Sequence, residues 1–390
     1  MTPSDSTTKT SCPTSTSCFV SGNIATISGP VPGLFKGAMV GADAYLAYQN
    51  SLGGLDGRKF KLITGDDAFT CSENRALTES MINQVIAFTG NFSLQDDCGG
   101  VIIGQNPHVP DVSVTLDPTT TMLPNVFSAA PATGFSEGPF IYFKQQYPSA
   151  VKRVGTLVAG VATSEAQFAY AKGAMQQAGW KIIYERITSP LETDFTRDVI
   201  AMQQAGVQTV FLYNADEQGI ARFVEEAHTQ GFHPQLILGG PSMYTQTFVS
   251  DAGGPGVADG IYLDQPAALF LGGDAGSVPA VATFLHWVNG LYPGFTPDLF
   301  TLYGWVSADL YVTALKKAGP DPTQASLLSA LRDITSFDAG GIIPTANPAG
   351  KQAQACFLIA RIENGDFRRY DMPATGYKCD GNVYPPPKTS

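Results

Sequence analysis

The residues best suited to chemistry in this sequence do not assemble into a catalytic set. Residues 134–138 read GFSEG and match GxSxG, which carries a nucleophilic serine only between a strand and a helix. Residues 129–133 lack a strand pattern, so we interpret the match as chance. No histidine follows a predicted strand, where functional groups of open α/β sheets usually lie; the four are His108, His228, His233 and His286. The sequence therefore does not predict an enzyme.

Motifs for bound cofactors are missing as well. The sequence has no GxxxxGK[ST] phosphate loop and no HExxH zinc motif. Residues 28–33, at the end of the first predicted strand, read SGPVPG, and their prolines lack the N–H groups that a pyrophosphate needs. The cysteines form no CxxC pair of the kind that binds zinc. We therefore predict neither a cofactor nor a metal.

Three acidic pairs remain ambiguous from the sequence alone. Asp66-Asp67 and Asp96-Asp97 are open to a catalytic or metal-binding role, but we favour polar turns at strand ends. Asp216-Glu217 follows a strand and opens a helix, and its functional and structural interpretations are about equally supported.

The loops after the predicted strands are rich in hydroxyl, amide and aromatic side chains. They comprise residues 34–36, 91–95, 115–117, 162–164, 214–216 and 242–244. Apolar walls with a few placed polar groups are typical of small-molecule sites. Ordinary packing is the alternative for each aromatic residue taken singly.

Composition narrows the class of protein. The 390 residues carry a net charge of −11 with a pI near 4.8, which argues against nucleic-acid binding because phosphate contacts need clustered Lys and Arg. Apolar residues make up 44% of the chain, enough for a packed core. No apolar run reaches 18 residues, so the sequence predicts no membrane-spanning helix.

Short β-rich runs alternate with longer segments of helical spacing. The predicted strands are 24–28, 60–64, 85–89, 112–116, 154–158, 181–184, 209–213, 235–238 and 260–263. The predicted helices are 36–49, 72–81, 133–146, 164–178, 194–205, 217–230, 280–289 and 300–317. This alternation predicts parallel sheets, and the number of units suits two similar lobes. Near the end, residues 356–362 and 367–370 flank Asn364-Gly365, a strong hairpin signal.

The cysteines and the first residues bear on the cellular compartment. Six cysteines allow 15 pairings, and we favour pairing of sequence neighbours, in an oxidising compartment: Cys12–Cys18, Cys71–Cys98 and Cys356–Cys379. Six buried free thiols are the alternative. Residues 1–19 are polar, and we expect a flexible spacer of the kind that follows a secretion signal or a lipid anchor. A cytosolic protein that begins here is the alternative.

Several stretches, taken in order, resemble the type I periplasmic (extracellular) solute-binding proteins of the branched-chain amino acid ABC transporter group. They are SGP at 28–30, KGA at 36–38, GADAYL at 41–46, GGLDGRKF at 53–60, DDA at 66–68 with Cys71, and WVSADLYVTALKKAG at 305–319. Cys98 lies about where the family places the partner of Cys71. The resemblance covers about residues 23–370.

The resemblance implies an α/β fold of two Rossmann-like lobes with parallel sheets, joined by three crossovers, with the ligand in the cleft between the lobes. Lobe one would hold residues 20–128 and 265–341, and lobe two residues 130–263 and 343–385.

The resemblance also implies a set of ligand-binding residues. In lobe one they are Phe35, Phe92, Ser93, Leu94, Gln95, Thr115, Leu116 and Asp117; in lobe two they are Thr163, Ala215, Asp216, Met243 and Tyr244. Hydroxyls and backbone N–H groups of the Ser93 and Thr115 loops would bind a carboxylate, and Phe35, Phe92 and Tyr244 would wall the apolar part. The loop at 239–244 lacks the acid that amino-acid binders place near it.

We therefore expect an exported solute-binding protein that captures an amino acid or small carboxylate for an ABC importer. Its partners would be that small molecule and a permease, with no nucleic acid. Its location would be periplasmic or extracellular, with a possible lipid anchor. The alternative is the ligand-sensing domain of a receptor or regulator with the same fold.

Overall fold

The computed structural model describes residues 9–12, 17–212, 216–379 and 381–385. The chain forms two compact units, which confirms the predicted two-lobed α/β class. The first unit contains the described residues within 1–133, 282–339 and 345–352, and the second contains those within 134–281, 340–344 and 353–390.

The first unit is built on a parallel sheet of five strands in the order β2-β1-β3-β4-β5. The strands are β1 (Phe19–Ala25), β2 (Phe60–Asp66), β3 (Ala87–Thr89), β4 (Asp111–Val112) and β5 (Val126–Phe127). Alternate residues of β1 face opposite layers: Ile24 packs with the Met81 and Ile103 cluster, whereas Asn23 donates to the carbonyl of Gly90. Both faces are covered, which explains the continuous apolar runs in the sequence.

The helices of the first unit pack most closely where α1 meets α12. They are α1 (Lys36–Ser51), α2 (Cys71–Met81), α3 (Asp96–Gln105), α4 (Pro118–Thr121), most of α11 (Pro279–Leu291), α12 (Leu299–Ala318) and α13 (Gln324–Arg332). A Cβ on Gly41 would collide with the carbonyl oxygen of Thr301, and one on Gly304 with that of Ala38. Glycine therefore allows the two backbones to approach, which fixes the start of α12 beside the start of α1.

The second unit contains a mixed sheet in the order β13-β12-β11-β10-β9-β7-β8. Its strands are β6 (Phe135–Ser136), β7 (Val154–Ala159), β8 (Ile182–Thr188), β9 (Thr209–Leu212), β10 (Leu236–Gly239), β11 (Tyr262–Gln265), β12 (Leu358–Glu363), β13 (Asp366–Arg369) and β14 (Val383–Tyr384), with β6 and β14 paired separately. Its helices are α5 (Gly138–Gln146), α6 (Ala162–Ala178), α7 (Thr196–Ala205), α8 (Glu217–Thr229), α9 (Phe248–Asp251) and α10 (Pro255–Ala258). The antiparallel β12–β13 pair is the predicted hairpin across Asn364-Gly365.

Three elements differ from their predicted bounds. The first strand begins at Phe19 rather than residue 24, because Phe19 pairs with Phe60 and stacks on it. The strand predicted at 112–116 is only β4, since the chain beyond it turns to bond with α3 and α4. The helix predicted from 133 begins at Gly138, because residues 135–136 form strand β6.

The N-terminal segment is partly anchored, which corrects the expectation of a flexible spacer for residues 9–12 and 17–19. The backbone N–H of Lys9 donates to Asp43 at 2.6 Å, and the buried Thr10 donates to the same carboxylate through its hydroxyl at 2.7 Å. Tyr292 also donates to Asp43, at 2.5 Å. Residues 1–8 and 13–16 lie outside the described residues.

Residues 265–281, which the sequence analysis placed in lobe one, cluster with the second unit. The backbone N–H of Ala268 donates to Ile342 at 2.8 Å, and that of Leu271 donates to the Tyr244 hydroxyl at 2.8 Å. Asp274 forms an ion pair with Arg369 at 2.7 Å. These contacts hold the segment to the edge of the second sheet.

The three neighbour disulfides are all present. Cys12 is bonded to Cys18, Cys71 to Cys98 and Cys356 to Cys379. Such a set is typical of proteins from oxidising compartments. In the described ranges, no helix combines the length and the hydropathy needed to cross a membrane.

A Cys71→Ser/Cys98→Ser variant is expected to lose about 3.5 kcal/mol of unfolding free energy, because the bridge spans 27 residues of chain. A Cys12→Ser/Cys18→Ser variant is the control, since it opens a separation of only 6 residues, and we expect a loss of about 2 kcal/mol. Urea unfolding measures both. Equal losses in the two variants would contradict the dependence on loop length.

Candidate functional site

The candidate site of the first unit lies at the carboxyl edge of its sheet. Loops leave β1, β3 and β4 at this edge, and α1 and α12 begin beside it. Ligands of open α/β sheets bind at this kind of edge. The residues predicted at 92–95 and 115–117 lie on the loops after β3 and β4.

An aromatic cluster forms the apolar part of this edge. The ring of Phe35 lies 4.6 Å from that of Phe300, and the ring of Phe92 lies 5.0 Å from Phe300 and 5.9 Å from Tyr303. Phe35 and Phe92 are only 4% and 3% exposed, so they form the base of the cluster rather than the wall predicted for them. Phe300 and Tyr303 are partly buried and lie above that base.

Phe300 and Tyr303 were missed by the sequence analysis. They lie in the first turns of α12, and their spacing of three residues places both rings on one side of the helix. In the sequence this spacing is the ordinary signal of a packed helix. Only the approach of α12 to α1 at Gly41 brings the two rings to the strand ends.

The Ser93 hydroxyl is already fully engaged within the first unit. It donates to the buried carboxylate of Asp67 and accepts from the backbone N–H of Gln95 at 2.8 Å. It also accepts from the hydroxyl of Thr26 at 3.3 Å. A hydroxyl has one proton, so Ser93 has none left for the carboxylate that the sequence analysis assigned to it.

The Thr115 hydroxyl also donates its proton within the first unit. Its oxygen lies 2.6 Å from that of Thr121. The Thr121 hydroxyl donates its own proton to the carbonyl of Asp117 at 3.0 Å, so Thr115 must be the donor in the pair. The Ser93 and Thr115 side chains therefore shape the loops rather than present donors.

Three backbone N–H groups on the same two loops remain as hydrogen-bond donors. The N–H groups of Ser93, Leu94 and Thr115 make no hydrogen bond to any residue within the described ranges. Ser93 and Thr115 are 2% and 3% exposed. Buried N–H groups are nearly always paired, so those of Ser93 and Thr115 are suited to an acceptor atom of a bound molecule, with the N–H of the partly buried Leu94 beside that of Ser93 in the chain.

Gln95, Leu116 and Asp117 lie on the flanks of these donors. The backbone N–H groups of Leu116 and Asp117 donate to Asp96, which ties the β4 loop to α3. Asp117 begins α4 and accepts from the backbone of Thr120 at 2.7 Å. Although its partial burial opposes ionisation, hydrogen bonds from Thr119 and Thr120 hold the pKa of Asp117 below its usual value.

Asp66 and Asp67 form the base of two loops. Asp66 accepts from the backbone N–H groups of Ile27, Ser28 and Ala68, each near 3.0 Å. Although burial raises its pKa, these hydrogen bonds outweigh burial and lower the pKa overall. Asp67, with no measurable exposure, accepts from Phe69, Asn74 and Ser93. Both carboxylates thus have the structural role favoured from the sequence.

The residues predicted in the second unit fall into different environments. Thr163, 3% exposed, begins the helix α6, and its hydroxyl has no hydrogen-bond partner in the described part of the chain. Asp216 is the N-cap of α8, accepting from Gly219 at 2.9 Å, and lines a small cavity with Phe195 and Ile220. Ala215 lies outside the described residues.

Met243 and Tyr244 are both fully buried. The ring of Tyr244 packs 4.8 Å from those of Phe270 and Phe367, and its hydroxyl accepts from the backbone of Leu271. These contacts make Tyr244 a core residue of the second unit, which corrects its predicted role as a ligand wall. The aromatic identity alone did not distinguish the two roles.

The GxSxG match also has a structural explanation. The hydroxyl of Ser136 donates to the carbonyl of Ala355 at 2.8 Å, and Ser136 lies in strand β6 rather than in a strand-to-helix elbow. The segment thus positions a strand pair and does not form a nucleophile. Among the described residues, no group of three His, Cys, Asp or Glu side chains is arranged to hold a metal ion.

Comparison with known proteins agrees with this architecture. The family model described as periplasmic binding protein matches residues 22–366. An amino acid binding protein of Pseudomonas aeruginosa is 23% identical over 292 residues, covering 71% of this chain and 73% of the relative.

Solved structures show the same fold. A possible leucine/isoleucine/valine-binding protein from Rhodopirellula baltica has a TM-score of 0.76 at 15% identity, covering 92% of this chain and 97% of that one. A fatty acid ABC transporter substrate-binding protein from Thermomonospora curvata has a TM-score of 0.75 at 19% identity, covering 93% of both chains. The chain therefore belongs to the periplasmic binding protein family, with its type I fold, and is a solute-binding protein rather than an enzyme.

Proposed function

We propose that this protein captures an amphipathic solute, an amino acid or small carboxylate, outside the cytoplasm for an ABC importer. The observation that carries this proposal is the set of N–H donors at Ser93, Leu94 and Thr115, which find no partner among the described residues and lie on loops that also carry apolar side chains. A small amphipathic solute needs hydrogen-bond partners for its polar end and an apolar surface for the rest of the molecule.

The backbone donors would hold the polar end of the solute. Three N–H groups lie on the two loops that leave β3 and β4 at the carboxyl edge of the sheet. Charge-assisted hydrogen bonds from backbone N–H to a carboxylate are among the stronger ones. Asp67 and Asp96 fix the two loops from beneath. The loops are thus held in place before the solute arrives, which limits the ordering cost of binding.

In the second unit, Thr163 is the best-supported contact. Its hydroxyl is buried without a partner, and an unpaired buried hydroxyl costs free energy unless a bound molecule or water satisfies it. Asp216 and the loop containing Ala215 remain part of the proposed set, as does capture of the solute by both lobes.

The relatives support the same class of solute. One is named an amino acid binding protein, and the structural neighbours are named for leucine, isoleucine and valine or for fatty acids. All of these solutes combine a carboxylate with an apolar part. The three disulfides support a periplasmic or extracellular location, and we include a permease partner and a lipid anchor in the proposal.

A thermal-shift screen of amino acids, aromatic acids and other small carboxylates tests the proposal. A solute present at a hundredfold excess over its Kd is expected to add about 2.7 kcal/mol to the unfolding free energy. Thr163→Val is expected to weaken binding. Thr133→Val, which removes a hydroxyl that donates to the backbone carbonyl of Lys351 at 2.8 Å, is the control and should leave binding unchanged. Absence of stabilisation by every compound would contradict the proposal.

A further inference from the structure

Several partly buried apolar residues, Phe300 and Tyr303 among them, pack on the aromatic base at the carboxyl edge of the first unit. We define the apolar patch as the partly buried residues that pack on the Phe35 and Phe92 base: Ile27, Leu34, Leu94, Leu116, Phe300 and Tyr303. We propose that the solute is an alkyl or aryl carboxylic acid without an α-ammonium group. This inference rests on the proposed function and narrows its solute class.

The apolar patch is pre-formed rather than assembled by the solute. Phe300 contacts Phe35 edge-on at 4.6 Å, and Tyr303 stacks on Phe92 with an interplanar angle of 19°. Both base rings are buried, and the two upper rings are fixed by the start of α12. A rigid apolar surface binds an apolar chain at little conformational cost.

The polar contacts beside the apolar patch fit one acceptor group. The hydroxyl protons of Ser93 and Thr115 are donated within the unit, which leaves the N–H groups of Ser93, Leu94 and Thr115. These donors suit the oxygens of a carboxylate. They offer nothing to an ammonium group, which has only protons to give.

The carboxylates that contact these two loops already accept hydrogen bonds within the unit. Asp67 accepts three hydrogen bonds, Asp96 accepts from Leu116 and Asp117, and Asp117 accepts from Thr119 and Thr120. An α-ammonium lies next to its own carboxylate, so it would have to share one of these acids or remain beside apolar side chains. Either arrangement loses hydration without a dedicated counter-charge.

In the second unit, the proposed binding loops at 214–216 and 242–244 contain one acid, Asp216. Asp216 accepts the backbone N–H of Gly219 as the N-cap of α8. The loop at 239–244 contains no acid.

Matched pairs of compounds test the inference by calorimetry. Hexanoate is compared with 2-aminohexanoate, and 3-phenylpropanoate with phenylalanine, so each pair differs only in the α-ammonium. We expect the acid to bind about tenfold or more tightly than its amino counterpart. From butanoate to octanoate, each methylene is expected to strengthen binding about fourfold, as full burial of a methylene implies. Equal or tighter binding of the amino acids, or no gain with chain length, would overturn the inference.

Variants in the apolar patch test whether this surface causes the gain in affinity with chain length. Phe300→Ala and the milder Phe300→Leu are expected to reduce the gain per methylene, whereas Phe295→Ala, outside the apolar patch, is the control and leaves it unchanged. Binding of amino acids alone would preserve the proposed function and refute this inference. If neither set binds, the inference fails, and the broader thermal-shift screen then decides the proposed function.

Discussion

Replacing Asp67 with alanine is expected to lower the free energy of unfolding by about 4 kcal/mol and to abolish solute binding. The side chain is fully buried and accepts from Phe69 at 3.0 Å, from Asn74 at 2.9 Å and from Ser93. Its removal leaves three donors unsatisfied in a site closed to water, at about 1–3 kcal/mol each before relaxation. Chemical unfolding measures the stability, and calorimetry with the best compound of the screen measures the binding.

Asp97→Ala is the matched control, because Asp97 lies nearby in the first turn of α3 but is exposed. We expect this variant to change stability by less than about 0.5 kcal/mol. A second variant, Ser93→Ala, removes the hydroxyl that supports the loop but keeps the backbone N–H proposed to contact the solute. It should destabilise the protein by about 1–3 kcal/mol, since the hydroxyl loses its hydrogen bonds with Asp67, Gln95 and Thr26. An Asp67→Ala protein that is as stable as Asp97→Ala would refute this account of the loop.

Much of the architecture was accessible from the sequence because it depends on local signals. Alternating strands and helices predict the two α/β units, and the neighbour pairing of cysteines is confirmed at all three bridges. The hairpin at Asn364-Gly365 followed from residues that tolerate a positive φ, here 53° and 81°. Each of these features is set by residues close together along the chain.

The details of the site were less accessible because they depend on distant partners. Ser93 and Thr115 were predicted to donate to a carboxylate, but their protons go to Asp67 and Thr121. A sequence gives the donor but not its partner. Tyr244 was predicted as a wall and is a core residue, whereas Phe300, on a helix that begins about 200 residues after Phe92, joins the aromatic cluster.

The second large effect is expected at Asp264, whose replacement with asparagine should stabilise the protein at neutral and higher pH. This carboxylate is 8% exposed, and no hydrogen bond to its side chain is formed within the described ranges. Burial raises its pKa from 3.8 to about 7, so the folded state holds a proton that the unfolded chain has lost. Between about pH 4 and 7, the contribution of Asp264 to the free energy of unfolding therefore falls as the pH rises.

The difference in unfolding free energy between Asp264→Asn and the unchanged protein should accordingly be near zero at pH 4 and reach about 4 kcal/mol at pH 8. Asparagine resembles the protonated acid in shape and cannot ionise, so it removes only the cost of the buried charge. Asp366→Asn, which replaces an exposed acid on β13 paired with Arg368, is the control and should differ from the unchanged protein by less than about 1 kcal/mol at either pH. A flat difference for Asp264→Asn, or lower stability than the unchanged protein at pH 8, would mean that the carboxylate has a favourable partner in the folded state.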